Sequence, residues 1–295
     1  SNKIIKFINY HLFAFKFNSL LLDVKIPEKK IILWSYHPFV KDLIDIKKFN
    51  KIIYRSVDDL RFLPDIKIKD YIKTENNFVK ESNFIFTTNK KLFNRYKKKN
   101  KNVFYHSNVV DINFFKPKNV KIKKKIAVYH GVLSDYKINL NFLYRVIKNN
   151  YETEFWIVGE ERENQNSQII KKIKRLRNTK FFGYIPYKKI PTILSRCSIG
   201  LLPLKINKYT EHMSPMKYYE YISSGLYVIS TKFEFMKNLK KNSRTFVTND
   251  LSKFSQKIKK YKLIKTASIK EIQNIVSENT YRIRTKKILR IINEK

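Results

Sequence analysis

The chain has 295 residues, with 63 Lys and Arg against 24 Asp and Glu, which gives a formal net charge of +39 at pH 7. Its one cysteine, Cys197, excludes an internal disulfide and disfavours a structural zinc site. Neither GxGxxG nor GxxxxGK[ST] occurs, which argues against a Rossmann dehydrogenase and a P-loop NTPase. The length favours two domains.

The positive charge favours association with polyanions or with an anionic membrane surface. The lysines are scattered, and they occur together with abundant Asn, Ile, Tyr and Phe, as an AT-rich coding sequence produces. No basic stripe or RNA-binding motif accompanies them, so we expect no specific nucleic-acid partner. No stretch spans a bilayer and no signal peptide is recognised, which predicts a cytoplasmic protein, with peripheral attachment to the inner face of the membrane left open.

The N-terminal third begins with a helical pattern and continues with buried strands. Residues 2–22 have helical apolar spacing with many aromatics, which predicts a core helix, with a membrane-surface helix as the alternative. Residues 30–36 and 51–57 are predicted strands. The second strand delivers Asp58 and Asp59 to its C-terminal end, where carboxylates of open parallel sheets face the ligand crevice.

Strand and helix patterns then alternate through the rest of the chain. Before residue 110, the predicted elements are helix 69–82, strand 83–87, helix 90–96 and strand 102–105. After the charged run 117–125, which has the composition of an interdomain linker, the predicted strands are 126–129, 154–158, 180–182, 199–202, 226–229 and 244–247. Helices are predicted between these strands and over 268–277 and 280–293. This alternation predicts parallel sheets covered on both faces.

The most informative stretch is residues 198–231, which read strand, polar loop, capped helix, glycine, strand. Ser214-Pro215 predicts a helix start, with Ser214 as N-cap, and Gly225 predicts its end. A helix that begins after a parallel strand binds anions at its N-terminus. Lys217 in the first turn opposes the helix dipole, which suggests an anionic ligand, and Glu220 could accept two hydrogen bonds from a sugar diol. The alternative is a surface helix with a solvated Lys and Glu.

The chain after residue 130 contains other candidates to bind the same anionic ligand. All five glycines lie between Gly131 and Gly225, so phosphate recognition is expected there, with Gly131 after the first strand. Lys137 is a candidate second cation, or a solvated lysine. Asn207 and Thr210 are candidates to bind donor hydroxyls, or ordinary turn formers.

The run SPMKYYEYISSGLYVIST (214–231) resembles the donor-site segment P-x-K-x-x-E-[YA]-[LM]-A-x-G-x-P-V-V of GT-B-fold glycosyltransferases, in particular family 4-like enzymes of bacterial surface-polysaccharide synthesis. Residues 106–115 partly resemble the P-N-G-V-D-x-x-x-F signature that closes the N-terminal domain of these enzymes. YRSVDD (54–59) and the E-x8-F-I-F-T-T-N run from Glu75 also resemble the family.

The resemblance implies two Rossmann-like domains facing a cleft. We expect an N-terminal acceptor-side domain over 1–116, a donor domain over 117–278, and a C-terminal helix over 279–295 that crosses back to the first domain. The chain opens on a helix where the family has a strand and a glycine-containing loop, so the N-terminal domain is expected to be reduced or truncated.

The resemblance also implies roles for individual residues. Ser214, Pro215 and Lys217 would lie at the nucleotide diphosphate, and Glu220 at the ribose. His212 is a further candidate for donor binding, because it stands roughly where the family has the first glutamate of a Glu-x7-Glu pair. The residue differs from the family's, so a departure from the family's donor-sugar contact is expected there.

For the general base, Asp58 or Asp59 is the candidate, with His37 and His130 as alternates that are more often structural, although a retaining transfer needs no separate base. We expect no cofactor and no essential metal, because no DxD-like motif stands at a strand end of the second domain.

The resemblance implies a glycosyltransferase that moves a sugar from a nucleotide-sugar to a glycan or lipid-linked saccharide acceptor in surface-polysaccharide synthesis. The alternative is a non-catalytic glycosyltransferase-like or polyanion-binding protein. Such a module should tolerate Glu220→Ala, whereas a transferase should lose nucleotide affinity.

Overall fold

The computed structural model describes residues 3–23, 26–27, 30–63, 66–117, 125–161, 167–261 and 267–294. The chain divides into unit 1, residues 1–107, and unit 2, residues 108–295. The segment 108–116, which the sequence placed with the first domain, belongs to unit 2, because Val110 bridges to Thr280 and Phe115 is buried in the core of that unit. Most of the expected linker, residues 118–124, lies outside the described residues.

Unit 1 is built on a four-stranded parallel sheet in the order β1-β2-β3-β4. Its elements are α1 Lys3–Asp23, β1 Ile32–Ser35, β2 Lys51–Ser56, α2 Ile68–Glu81, β3 Phe84–Thr87, α3 Lys90–Lys97 and β4 Val103–Tyr105. The middle strands β2 and β3 are almost wholly buried, as expected for parallel strands packed on both faces. Helix α3 begins where the sequence predicts, with the Asn89 side chain capping the amide of Lys91.

The predicted core position of the first helix is wrong. Helix α1 forms at the expected residues, but Phe7 is 65% exposed, Phe15 74% and Leu12 55%. Phe17 packs against the core of unit 1, with its ring 6.3 Å from that of Phe49. The physical reason is that, among the described side chains of α1, the apolar ones do not share one face, so the contact of Phe17 with the core leaves most of them uncovered.

Unit 2 contains a six-stranded parallel sheet in the order β10-β9-β8-β5-β6-β7. Its strands are β5 Ile126–His130, β6 Glu154–Val158, β7 Thr179–Gly183, β8 Ile199–Leu202, β9 Tyr227–Ser230 and β10 Thr245–Val247. Its helices are α4 Leu140–Lys148, α5 Ser167–Lys174, α6 Ile190–Leu194, α7 Lys208–Glu211, α8 Met216–Ser223, α9 Glu234–Lys237, α10 Leu251–Lys260, α11 Ile269–Val276 and α12 Tyr281–Asn293. Among the described residues, short 3-10 turns lie at 38–42, 46–48 and 60–62 in unit 1 and at 187–189 and 277–279 in unit 2.

The order of these strands reverses between the neighbours β5 and β8. From β5 the chain winds outward through β6 and β7, and from β8 it winds the other way through β9 and β10. Ligands of open parallel sheets bind beyond the carboxyl ends of the strands at such a switch point. The prediction of parallel α/β architecture is therefore confirmed, and the topology locates the place to look for a site.

Candidate functional site

The switch point is lined by two glycine turns that pack against each other. Gly131 follows β5 with φ 122°, and Gly159 follows β6 with φ 148°. A Cβ on Gly159 would lie 2.1 Å from the carbonyl oxygen of Gly131, so no side chain fits there. The amide of Gly131 donates to the carbonyl of Val158 at 2.7 Å. Glycine at these positions allows the backbone to approach closely and leaves the strand end open.

Lys217 reaches from the first turn of α8 to the end of β5. A Cβ on Gly131 would lie 2.3 Å from Lys217 Cε and 2.6 Å from Lys217 Nζ, so the ammonium rests against the Gly131 backbone. The first amides of any helix have no intrahelical partners, and the dipole adds positive potential at that end. Lys217, Gly131 and the start of α8 therefore form a positive corner suited to an anion.

Helix α8 begins differently from the prediction. Pro215, with φ −72° and ψ 119°, is the N-cap, and it makes no side-chain capping hydrogen bond. The Ser214 hydroxyl accepts instead from the amide of Asn108 at 3.2 Å, and the Ser214 carbonyl accepts from Asn108 Nδ2 at 2.5 Å. A residue before proline is held extended, which places Ser214 one position outside the helix. Ser214 as cap was therefore wrong, and its side chain fastens the segment at Asn108 to the start of α8.

Glu220, one turn beyond Lys217, is 3% exposed and is contacted at both carboxylate oxygens. The Tyr187 hydroxyl donates to Oε1 at 2.9 Å, and His130 Nε2 lies 3.1 Å from Oε2. Burial alone would raise the pKa of Glu220, but His130, Tyr187 and Lys217 outweigh it and hold that pKa below its ordinary value. Burial, helped by Lys217, lowers the pKa of His130 despite Glu220. At neutral pH the site therefore contains a carboxylate and a neutral imidazole.

Tyr221 explains why α8 lies so close to the sheet. A Cβ on Gly200 of β8 would lie 2.4 Å from the Tyr221 ring, so only glycine leaves room for it. The Tyr221 hydroxyl accepts from the His130 amide at 3.0 Å, and the two rings meet edge to face. Sequence reasoning missed this support, since Gly200 reads as an ordinary strand residue.

The loop before α8 contains a short helix, α7, that the sequence did not predict. Asn207 and Thr210 form a capping box at its start: Asn207 Oδ1 accepts from the Thr210 amide at 3.0 Å. Asn207 Nδ2 donates to the Tyr136 carbonyl at 2.7 Å, and the Thr210 hydroxyl donates to the Lys205 carbonyl at 2.6 Å. His212 is buried, with Nδ1 2.8 Å from the Lys208 carbonyl. The side chains expected at the donor hydroxyls thus hold the loop itself.

Lys137 lies in the turn that follows Gly131. Its amide donates to the Ser134 carbonyl at 3.1 Å, and its carbonyl accepts from the Lys205 amide at 2.9 Å. The Lys205 side chain pairs with Asp135 at 2.9 Å. This turn therefore connects the residues after β5 to the loop that contains α7.

Asp58 and Asp59 follow β2 in unit 1, as predicted, but they have different environments. Asp59 is 1% exposed and caps the turn at 60–62. Its carboxylate accepts from Arg61 Nε at 2.8 Å and Nη2 at 2.6 Å, with Arg95 3.9 Å away. Asp58 is half-buried. Of the two carboxylates, Asp58 is the more accessible candidate base, whereas Asp59 is engaged in fixing its own loop.

Unit 1 also contains a buried carboxylate, Glu75, whose hydrogen-bond network the sequence analysis did not predict. Glu75 on α2 accepts from the hydroxyls of Tyr54, Tyr71 and Tyr96 at 3.2, 2.5 and 2.5 Å, and from Arg95 Nη2 at 2.6 Å. Burial, with Glu75 nearby, raises the pKa of each of these tyrosines, so they remain protonated donors. The network joins β2, α2 and α3. The only signal for it in the sequence was the family-like run that starts at Glu75.

Three further observations concern the remaining expectations. Cys197 is buried, and burial raises the pKa of its thiol, which leaves it a poor nucleophile. Within the described residues, no three His, Cys, Asp or Glu side chains are grouped so as to hold a metal ion. None of the helices in the described part of the chain is both long and apolar enough to cross a membrane.

Residues 111–282 match the family model described as glycosyl transferases group 1. No curated protein matches the sequence significantly.

Solved structures with the GT-B fold resemble the chain at low identity. HepE from Anabaena, in complex with UDP and glucose, has 14% identity and a TM-score of 0.69 over 90% of this chain and 78% of its own. The lipopolysaccharide outer core galactosyltransferase WaaB has 13% identity and a TM-score of 0.62 over 100% and 82%. A TarM mutant of S. aureus, in complex with fondaparinux, α-GlcNAc-glycerol and UDP, has 14% identity and a TM-score of 0.70 over 97% and 59%. The GT-B fold class predicted from the sequence is thereby confirmed.

Proposed function

Because this chain belongs to the group 1 glycosyl transferases, whose family model covers residues 111–282, we propose that it transfers a hexosyl group from a nucleotide-sugar to a glycan or lipid-linked acceptor in surface-polysaccharide synthesis. The observation that carries the proposal is the placement of two side chains on α8. Lys217 rests against Gly131, and Glu220 follows one turn later on the same helix. HepE in complex with UDP-glucose, the galactosyltransferase WaaB and TarM with UDP support the choice of donor and pathway.

The positive corner at the start of α8 is suited to a diphosphate leaving group. Negative charge grows on the diphosphate as its bond to the sugar breaks, and preorganised amides and an ammonium stabilise that charge without rearranging. Lys217 supplies the ammonium, and Glu220 accepts from the ribose hydroxyls. We propose that no divalent cation is essential, so nucleotide affinity should be the same in EDTA and in Mg²⁺.

On the acceptor side, an inverting transfer requires a base to take the proton of the attacking hydroxyl. Asp58 is the proposed base, because it is half-buried and more accessible to an acceptor than Asp59, which is 1% exposed. A retaining transfer makes no such demand. The anomeric configuration of the product, read by NMR, decides between the two, and Asp58→Asn should abolish only an inverting reaction.

A thermal-shift screen tests the donor assignment, because a ligand that binds the folded state raises apparent stability. UDP-, GDP-, dTDP- and CMP-sugars are the probes. We expect one of them to raise the melting temperature of the wild type, and Lys217→Ala and Glu220→Ala to remove most of that shift.

The matched controls are Glu234→Ala and Lys237→Ala, an exposed ion pair on the short helix α9 of the same unit. They should leave the shift unchanged. No shift with any probe, or equal losses in site and control variants, would count against the transferase.

The non-catalytic alternative rests on the net charge of +39. Binding through bulk charge weakens steeply with salt and does not depend on one carboxylate. A polyanion-binding module should therefore bind heparin equally well with and without Glu220→Ala and show no nucleotide-dependent stabilisation.

We also propose that the protein binds anionic membrane surfaces through α1. The support is the set of apolar side chains that this helix exposes, including Phe7, Phe13 and Phe15, in a chain of +39. Co-sedimentation with vesicles should be strong with phosphatidylglycerol and weak with phosphatidylcholine alone. The double variant Phe7→Ser/Phe15→Ser should weaken it several-fold, and Tyr151→Ser, an exposed aromatic of unit 2, should not. Equal binding to both lipids would contradict the proposal.

A further inference from the structure

The carboxylate of Glu220 is held at both oxygens by side chains from other elements. Tyr187, from the 3-10 turn at 187–189, donates to Oε1 at 2.9 Å. His130, the last residue of β5, brings Nε2 to 3.1 Å from Oε2. Each carboxylate oxygen has two lone-pair positions, so one on each remains available after these contacts. The remaining positions suit the two hydroxyls of a vicinal diol.

The ring of Tyr187 packs against the rings of two phenylalanines, Phe114 and Phe115. It stacks on Phe114 with centroids 5.6 Å apart and an interplanar angle of 24°, and it meets the edge of Phe115 at 5.6 Å. Phe115 is fully buried. The turn that carries both phenylalanines is closed by Asp111, which accepts from the amides of Asn113 and Phe114, each at 3.0 Å. The Tyr187 hydroxyl is therefore aimed at Glu220 by packing that does not involve Glu220.

The two contacts differ in quality. His130 Nε2 is buried and makes no hydrogen bond of regular geometry with any described residue, so its approach to Oε2 is close but poorly aligned. The Tyr187 hydroxyl makes a regular hydrogen bond. A hydrogen bond to an ionised group is about twice as strong as a neutral one. Tyr187 is thus the group that sets the orientation of the carboxylate.

We propose that Tyr187 is a positioning residue that orients the Glu220 carboxylate so that its free lone pairs receive the ribose diol of the donor nucleotide. The inference rests on the proposed function. It predicts that the Tyr187 hydroxyl contributes to affinity only through the ribose hydroxyls, because it acts through Glu220.

A binding cycle between protein and ligand tests this. Wild type, Tyr187→Phe and the control Tyr184→Phe, an exposed tyrosine on the same connection, are titrated calorimetrically with UDP and 2′-deoxy-UDP, and with GDP and 2′-deoxy-GDP. Phenylalanine keeps the stacked ring and removes only the hydroxyl. The comparison uses the nucleotide pair, uracil or guanine, that wild type binds more tightly. For that pair, Tyr187→Phe should raise the Kd about 5- to 20-fold for the ribonucleotide and less than threefold for the deoxy analogue. Tyr184→Phe should change both less than twofold.

Three results would overturn the proposal. A Tyr187→Phe variant that binds the ribonucleotide within twofold of wild type shows that the hydroxyl does not orient Glu220. Equal weakening of ribo and deoxy ligands shows a structural effect that does not pass through the diol. Tighter binding by the variant shows that Tyr187 competes with the ribose. Failure of wild type to bind both UDP and GDP overturns this inference, and the proposed function fails with it only if the dTDP- and CMP-sugars also give no thermal shift.

Discussion

Among single residues, Gly131 is the position where an added side chain would collide with Lys217. Its φ of 122° is unfavourable for any L side chain, and a Cβ would meet Lys217 at 2.3 Å. Gly131→Ala should therefore displace the Lys217 ammonium and weaken nucleotide binding about tenfold or more, besides costing about 1–3 kcal/mol of stability. Isothermal titration and urea unfolding measure the two effects.

Gly183→Ala is the control for that substitution. Gly183 also has positive φ, at 64°, but a Cβ there would have no neighbour within 4 Å. It should cost about 1–2 kcal/mol of stability and leave nucleotide affinity unchanged. If the two variants lose affinity equally, backbone strain rather than the Lys217 contact controls the site.

His130 gives the site a pH dependence whose sign follows from burial. Burial lowers its pKa below the ordinary value of about 6.5, so below that pH the unfolded chain binds more protons than the folded one. Acidification through this window, with Glu220 and Lys217 facing the ring, therefore lowers the free energy of unfolding. The lowered pKa of Glu220 acts in the same direction below about pH 4.5.

The measurement is the melting temperature of wild type and His130→Gln at pH 7 and pH 5. Glutamine keeps polar atoms at the position but does not titrate in this range. The decrease in melting temperature between the two pH values should be smaller in His130→Gln than in wild type. The exposed His37→Gln should behave like wild type. An equal decrease in all three proteins would show that His130 does not carry the effect.

The sequence analysis found the site residues that follow a local pattern, but it missed a residue whose role depends on a contact with a distant part of the chain. Lys217 and Glu220 were recognised because they lie one turn apart in a helix that follows a strand. Tyr187 was not, because its partner is 33 positions away and only the packing of the turn at 187–189 against α8 brings them together. Ser214 was misassigned because the restriction that Pro215 places on the preceding backbone outweighed the capping preference of serine.

Among the elements, the network around Glu75 joins β2, α2 and α3. Glu75→Ala would remove the close partner of the half-buried Arg95 and leave three buried tyrosine hydroxyls without their acceptor. Leaving a buried donor unsatisfied costs about 1–3 kcal/mol for each group. We expect a clear drop in the urea midpoint of unit 1.

Glu81 supplies the matched control on the same helix. Its carboxylate pairs with Lys41 at 2.6 Å but its side chain is 42% exposed, and exposed pairs contribute about 0–1 kcal/mol. Glu81→Ala should therefore shift the midpoint little. Similar shifts for the two variants would mean that the buried network adds no more to stability than a surface pair.

The regular elements themselves were largely predictable. Strands such as β6 and β8 were located to the residue, because fully buried parallel strands leave short apolar runs bounded by glycine, proline or polar residues. Helix α7 was missed because its four residues are too few to show periodicity. The environment of α1 was wrong because apolar spacing shows that a helix has an apolar surface, not what covers it.

For the whole molecule, the alternation of strands and helices predicted parallel sheets but not their order. The sequence gives no sign that the chain reverses direction between β5 and β8, since the connection that spans the reversal resembles every other helical crossover. That reversal nevertheless brings Gly131, His130 and α8 together. The resemblance to a known family therefore carried information about the site that periodicity alone did not contain.

We propose that α8 binds the donor nucleotide with Lys217 at the diphosphate and Glu220 at the ribose. A crystal structure of the protein soaked with the nucleoside diphosphate that stabilises it tests this most directly. We expect a phosphate oxygen within about 3 Å of Lys217 Nζ and the ribose hydroxyls within hydrogen-bond distance of Glu220. A nucleotide bound elsewhere, or with its diphosphate turned away from the start of α8, would contradict it.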